Sequence, residues 1–386
     1  MSTTGSSNFV SVYEMVATSN SKRKNVEKLL NMSHTDDGNA SITLNTLPTD
    51  IIEQIVCNYG SLLPSKYVLR DWVNKDNLNW KMLSANPCAI DLLKEKIELD
   101  KSMDKEEYEK LKVEEKVNWL KLSMNPEAID ILKKYKNDIV WCCLCDNKNP
   151  RAVDMILERI EYEKQLPPYH IDQEEDEYGL YRIWWDRLSY NENPQIIEML
   201  KEKAELEKNE EYYAGLNIND KIDWQQISSN PNAIELLMAN PEEIEWETLS
   251  ANPGAIELLK ANPEEIYWSM LSENPNAIEL LKANPKKINW QMLSGNPNAI
   301  ELLKANPKKI FWGMLSGNPN AIELLKANPK KIHWGRLSEN ENALELIKER
   351  YEYELSLTPE EYESLEEAEK LDWKTLSANK CIFMMV

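Results

Sequence analysis

The sequence predicts an all-α fold: an α-solenoid of about eleven short helical-hairpin repeats behind an N-terminal helical cap. Three observations carry this expectation. A 22-residue phrase recurs, most cleanly as NPNAIELLKANPKKIFWGMLSG over Asn296 to Gly317. An anchor tryptophan marks each copy, at 80, 119, 141, 185, 224, 246, 268, 290, 312, 334 and 373. Asn-Pro occurs twice in the phrase, 10 residues apart, and divides it into two apolar segments. A fixed internal period signals stacked repeats, so the 386 residues are better read as one array than divided by length into domains.

In chain order, residues 1–44 are rich in Ser, Thr and Asn, lack sustained periodicity and read as a flexible leader. Residues 45–78 read as a helical cap. Thr49 or Asp50 can start a helix with Ile51, Ile52, Ile55 and Val56 on its apolar face, and a second amphipathic segment runs through Val68 and Leu69 to Trp72. A stack of repeats needs such a shield at its end. Residues 79–386 are the tandem array.

The spacings between anchor tryptophans are 39, 22, 44, 39, 22, 22, 22, 22, 22 and 39. The 39-residue spacings share a grammar. Each adds a charged extension with a tyrosine 11 residues and a leucine 8 residues before the next tryptophan: Tyr108 and Leu111, Tyr213 and Leu216, Tyr362 and Leu365. The 44-residue spacing runs through Pro167-Pro168 and the acidic stretch QEEDE, and reads as an irregular excursion.

Within the phrase, each Asn-Pro reads as a helix start. Asparagine caps first-turn amides, and proline at the first helical position gives up a donor that had no partner there. Ala299, Ile300, Leu302 and Leu303 then share one helix face, and Ile310, Trp312 and Leu315 supply the apolar content of a second short helix. Neither helix is long enough to stand alone in water, so both require stacking. The tryptophans are expected in the seam between layers, and the serine four residues after each tryptophan is expected to be a helix-end residue. A leucine-rich repeat with Ile-x-Trp as a strand has a similar length. Its alternation fails because Met82, Lys121, Arg187, Gln226, Thr248 and Arg336 occupy the position two after tryptophan.

The unit W-x-x-L-S-x-N-P-x-A-I-x-L-L, seen at Trp290 to Leu303 and Trp312 to Leu325, resembles the tandem repeat of proteins encoded by giant amoeba-infecting DNA viruses of the mimivirus type. The resemblance covers roughly residues 79–386. It implies a viral protein in a host cytoplasm or viral factory, or in the virion, and carries over no catalytic residue. Leu47, Pro48, Ile51, Ile52 and Ile55, followed by Val68 to Trp72, resemble a degenerate F-box, which implies a host ubiquitin-ligase adaptor as partner.

Composition narrows the function. A net charge of −21, from 66 acidic and 45 basic residues, argues against general binding of nucleic acid or anionic membrane. No apolar run approaches the length of a membrane span, and no secretory signal opens the chain, so an intracellular location is expected. The six cysteines are then expected as reduced thiols. Cys142, Cys143 and Cys145 lack the second pair of ligands that zinc requires, and His34, His170 and His333 share no spacing with carboxylates. No cofactor, metal site or catalytic residue is expected, and the protein reads as a non-enzymatic protein-interaction scaffold. The alternatives are an F-box-type substrate receptor and a virion or genome-packaging component.

Two sets of positions are candidates for partner contact. After the second Asn-Pro the residues change from Glu242-Glu243 and Glu264-Glu265 to Lys286-Lys287, Lys308-Lys309 and Lys330-Lys331, a lysine ridge suited to an acidic protein or a phosphate backbone. Before the tryptophan, Tyr267, Phe311 and His333 are expected to face outward as anchors. The identity of the partner and the oligomeric state are not written in these features.

Overall fold

A computed structural model of the chain describes residues 67–165 and 182–385. The leader, the F-box-like residues Leu47 to Ile55 and the acidic excursion lie outside the described residues. The described chain is mostly helical, with one two-stranded sheet, in agreement with the all-α expectation. It falls into two compact bodies. One spans Asn74–Ile382; the other includes Tyr67–Leu69 and Phe383–Met385.

In the smaller body, β1 (Tyr67–Leu69) pairs antiparallel with β2 (Phe383–Met385), Val68 opposite Met384. This corrects the amphipathic helical segment expected through Val68 and Leu69. The residues are largely β-formers, and a backbone partner from the far end of the chain outweighs their local periodicity.

In the larger body each short repeat contributes a leucine helix and a tryptophan helix. In the repeat that begins at Asn296, that residue caps a 3-10 turn (Pro297–Ala299), which runs into the leucine helix Ile300–Lys304. The second Asn-Pro departs from expectation. The side chain of Asn306 donates backward to Leu302 O at 2.9 Å and closes the leucine helix instead of opening the next one. One 3-10 turn follows (Pro307–Lys309), Ile310 is extended, and the tryptophan helix starts at Trp312 with Phe311 at its N-cap. Proline ends the first helix, and the extended Ile310 prevents the turn from joining the second.

The joint between repeats is polar and buried. Asn296 is fully buried; its Nδ2 donates to Ser272 O at 3.1 Å and Asn274 O at 2.9 Å in the preceding repeat, while its Oδ1 accepts the Asn298 amide. Ser294, also fully buried, donates to Trp290 O at 2.7 Å and accepts the Phe311 amide of the following repeat at 3.0 Å. These residues therefore bridge layers, where the sequence pointed only to helix ends. Between the bridges, Leu293, Ala299 and Leu303 have no exposed surface. The tryptophans are half-buried, so the seam is made mainly by leucine and alanine and by the asparagine and serine bridges.

The same bridges recur from repeat to repeat. In the third repeat Cys145 stands in place of serine and accepts the Trp184 amide, and Asn191 reaches Cys145 O. In the eleventh, Asp372 N–H donates to Ser338 Oγ and Asn379 donates to Ser338 O. The series then returns to its start. Asn79 N–H donates to Ser377 Oγ at 2.9 Å, and Asn86 Nδ2 donates to Ser377 O at 3.1 Å and Asn379 O at 3.0 Å. The last repeat thus meets the first with the bonds that join neighbours elsewhere, and the tryptophan helices Trp80–Leu83 and Trp373–Ala378 pack together. The series of bridges therefore forms a closed circuit. The chain's own first repeat satisfies Ser377 and Asn379.

Closure gives a quantitative test. Asn296→Ala removes three hydrogen bonds to backbone groups, two of them on buried carbonyls, for an expected loss of about 3 kcal/mol in chemical denaturation, whereas Asn306→Ala, which removes one bond, costs about 1 kcal/mol. Asn86→Ala at the seam is expected to match Asn296→Ala. A near-neutral Asn86→Ala would mean that the circuit is open in solution.

Candidate interaction surface

The turns between leucine and tryptophan helices hold the residues singled out by the sequence. Lys286, Lys287, Lys308, Lys309, Lys330 and Lys331 are all exposed, in the 3-10 turns Pro285–Lys287, Pro307–Lys309 and Pro329–Lys331. Tyr267 and Phe311 are 49% and 48% exposed, so nearly half of each aromatic surface is open to contact. His333 is only partly exposed. It caps its helix by accepting the Arg336 amide at Nδ1, 3.2 Å away. The backbone at this position is fixed in the short repeats by the preceding serine: Tyr267, Asn289 and Phe311 donate their amides to Ser250, Ser272 and Ser294.

In two of the three pairs the two lysines do different work. Lys287 Nζ lies 4.4 Å from the centre of the Trp268 ring and Lys331 Nζ 4.5 Å from that of Trp312, so the second lysine covers the tryptophan of the preceding repeat. The longer repeats use another arrangement. Lys96, Arg159, Lys203 and Arg350, from the extended leucine helices, cover Trp80, Trp141, Trp185 and Trp334. The tyrosines of the 39-residue grammar receive the displaced lysine instead: Lys116 lies over Tyr108, Lys221 over Tyr213 and Lys370 over Tyr362. The repeated tyrosine was visible in the sequence, but its cationic partner was not.

Lys287, Lys308 and Lys309 come together with Ser269, Trp290 and Phe311 around an open groove of about 650 Å³ that crosses three repeats. Asn289, on the same wall, donates to Ser269 Oγ at 2.9 Å. The groove combines mobile positive charge with flat aromatic surface, the composition that receives an acidic chain bearing an apolar side chain. Phe311 and three of the six ridge lysines, separate candidates in the sequence, therefore share one site, while Lys286, Lys330, Lys331, His333 and Tyr267 are not among the residues that line it.

The other chemically distinctive cluster is a buried group of thiols, in which Cys143 is lowered by its hydrogen bond with Cys142 while its neighbours are raised. Cys142, Cys143 and Cys145 are buried beside Arg187 and Asp146. Burial pushes the Cys145 thiol well above the usual thiol range, and Cys142 is pushed up by its hydrogen bond to Cys143 and by burial, which disfavours the reactive thiolate in both. Among the described residues no group of three or more His, Cys, Asp or Glu side chains is placed to hold a metal ion. No described helix is long and apolar enough to cross a membrane.

The extended leucine helices add a buried carboxylate that fastens the chain ahead of the next tryptophan. Glu163, Glu207 and Glu354 accept the amides of Ile183, Ile222 and Leu371 at 3.1, 3.1 and 2.9 Å, and burial raises the pKa of all three. The first long repeat places Asp100 there, one methylene shorter. Asp100 meets Lys96 Nζ at 2.7 Å, but neither carboxylate oxygen accepts a hydrogen bond. Beside it lies a cavity of about 440 Å³ lined by Val117, Tyr108 and Trp119.

No family model, curated protein or solved structure matches the chain.

Two predictions follow from these carboxylates. Asp100→Glu can reach the Val117 amide as Glu207 reaches that of Ile222, and is expected to raise unfolding stability by about 1 kcal/mol; an unchanged denaturation midpoint would count against this. Burial pushes Asp146 up to about 6 against the pull of Arg187, 2.9 Å away. A carboxyl raised in the folded state binds extra protons there, so its contribution to stability falls as pH rises from about 4 to about 6. The stability of the wild type minus that of Asp146→Asn is therefore expected to fall by roughly 2 kcal/mol across this window. A constant difference would overturn the assignment.

Proposed function

We propose that residues 74–382 form an α-solenoid closed on itself, and that the protein is a non-enzymatic protein-interaction scaffold whose partner surface is the row of turns centred on Lys308, Lys309 and Phe311. The observation that carries this reading is the closed circuit of buried asparagine and serine bridges. The bridges hold every repeat to two neighbours through backbone groups and leave turn side chains such as Lys308, Lys309 and Phe311 out of the joints between repeats. A receptor built this way loses little order on binding, so several weak contacts can add to a useful affinity.

The chemistry of the groove favours an acidic peptide segment with an aromatic or aliphatic anchor. Lysine ammonium groups attract the charge, and Phe311 and Trp290 supply flat surface for the anchor. Nucleic acid is a poorer match. The neighbouring turns carry Glu242, Glu243, Glu264 and Glu265, and Lys287 and Lys331 are turned to tryptophan.

Selection from a random peptide library displayed against the full chain tests the reading. Enrichment of acidic segments with a large apolar residue is expected, with binding that weakens as salt rises and is lost in a Lys308→Glu, Lys309→Glu, Phe311→Ala variant. Enrichment without charge bias, or binding unchanged in the variant, would remove the groove as the partner surface.

A further inference from the structure

The charges on the leucine helices are satisfied within the chain. Glu257 pairs with Lys260, Glu279 with Lys282 and Glu301 with Lys304, each at 2.8 Å. The turn row differs. Among the described residues, Glu242, Glu243, Glu264 and Glu265 make no ion pair, and neither do Lys286, Lys287, Lys308 and Lys309, although all eight are exposed. The carboxyl of Glu243 is raised by partial burial and then by Glu242 and Glu245, as expected where like charges meet without a cation between them. Four consecutive repeats thus present two acidic turns followed by two basic turns at one spacing, and the groove lined by Lys287, Lys308 and Lys309 brings successive basic turns together.

A row ordered in this way is complementary to itself when reversed. A twofold axis between the Glu264-Glu265 turn and the Lys286-Lys287 turn sets each of these against the other in a second copy. It also sets Glu242-Glu243 against Lys308-Lys309. The next turn outward does not extend the match, because Asp220 is already paired with Arg182 at 3.3 Å, so the complementarity is confined to the four inner turns. We infer that this row is an isologous interface, and that the partner it fits is a second copy of this chain, docked antiparallel along the turns from Glu242 to Lys309. The inference rests on the reading of the turn row as a partner surface and names one occupant of it. No new fold or cofactor is required, because each copy brings the charges that the other lacks.

Sedimentation velocity of the full chain tests this with variants that change charge on exposed turns. The wild type is expected to dimerise at low salt, with Kd rising about tenfold or more as ionic strength increases from roughly 0.05 to 0.3 M. A basic-to-acidic variant (Lys286→Glu, Lys308→Glu, Lys309→Glu) and an acidic-to-basic variant (Glu242→Lys, Glu243→Lys, Glu264→Lys) are each expected to be monomeric alone and to form a heterodimer when mixed. A chain with all six changes is expected to dimerise again, because the reversed row is still self-complementary. Monomers throughout, or mixing without association, would overturn the inference, as would dimers unaffected by either set of changes. Peptide selection at the lysine groove does not depend on Glu242, Glu243 or Glu264. A monomeric wild type that still enriches acidic peptides would therefore sink the dimer and leave the scaffold reading standing.

Discussion

The buried amide of one asparagine per repeat is the constraint on which the rest of the structure depends. Asn296 has two donors and one acceptor to place without water. It places both donors on carbonyls of the preceding repeat and the acceptor on an amide of its own turn. A buried polar group left unpaired costs about as much as a whole hydrogen bond contributes. The spacing and rotation between repeats are therefore fixed by bond geometry more tightly than by apolar contact, which tolerates sliding. The serine works in the same way, tying its own helix to the backbone of the next. Leucine and alanine fill the space between, and their burial supplies the nonspecific part of the stabilisation.

Because these bridges act on backbone groups, they are indifferent to the side chains around them. Inserted helices of the 39-residue repeats leave the bridges intact: Asn118 still reaches Ser84 and Asp223 still reaches Ser189, across 34 residues instead of 17. Cysteine can replace serine in the third repeat because a thiol still accepts an amide. The inserted segments bring their own fastening, in which a buried carboxylate holds the chain before the next tryptophan and a cation four residues earlier on the same helix covers the previous tryptophan. Asp100 is the place where this fastening is incomplete.

Sequence periodicity is a reliable guide wherever one local segment must satisfy itself. The all-helical character, the two helices per phrase, the capping role of the first Asn-Pro and the exposure of the lysine pairs and of Phe311 were all legible, because caps, prolines and apolar spacing act over a few residues. The second Asn-Pro was misjudged for a reason of the same kind. A dipeptide can cap forward or close backward, and only the packing of the leucine helix decides in favour of Leu302 O. Val68 and Leu69 were misplaced because the strand that claims them lies more than 300 residues away.

By itself, then, the sequence determined the repeat, its helices and the exposed, variable residues of the turns, since each follows from short-range stereochemistry and from which positions vary between copies. Only the tertiary structure decided that Asn and Ser join the layers, that Lys287 and Lys331 cover tryptophan rings, and that the eleventh repeat returns to the first. A 22-residue phrase fixes the kind of contact one layer makes with the next. The approach of Ser377 to within 2.9 Å of the Asn79 amide joins the two ends of the series, depends on the geometry of every bridge at once and is written in no single copy.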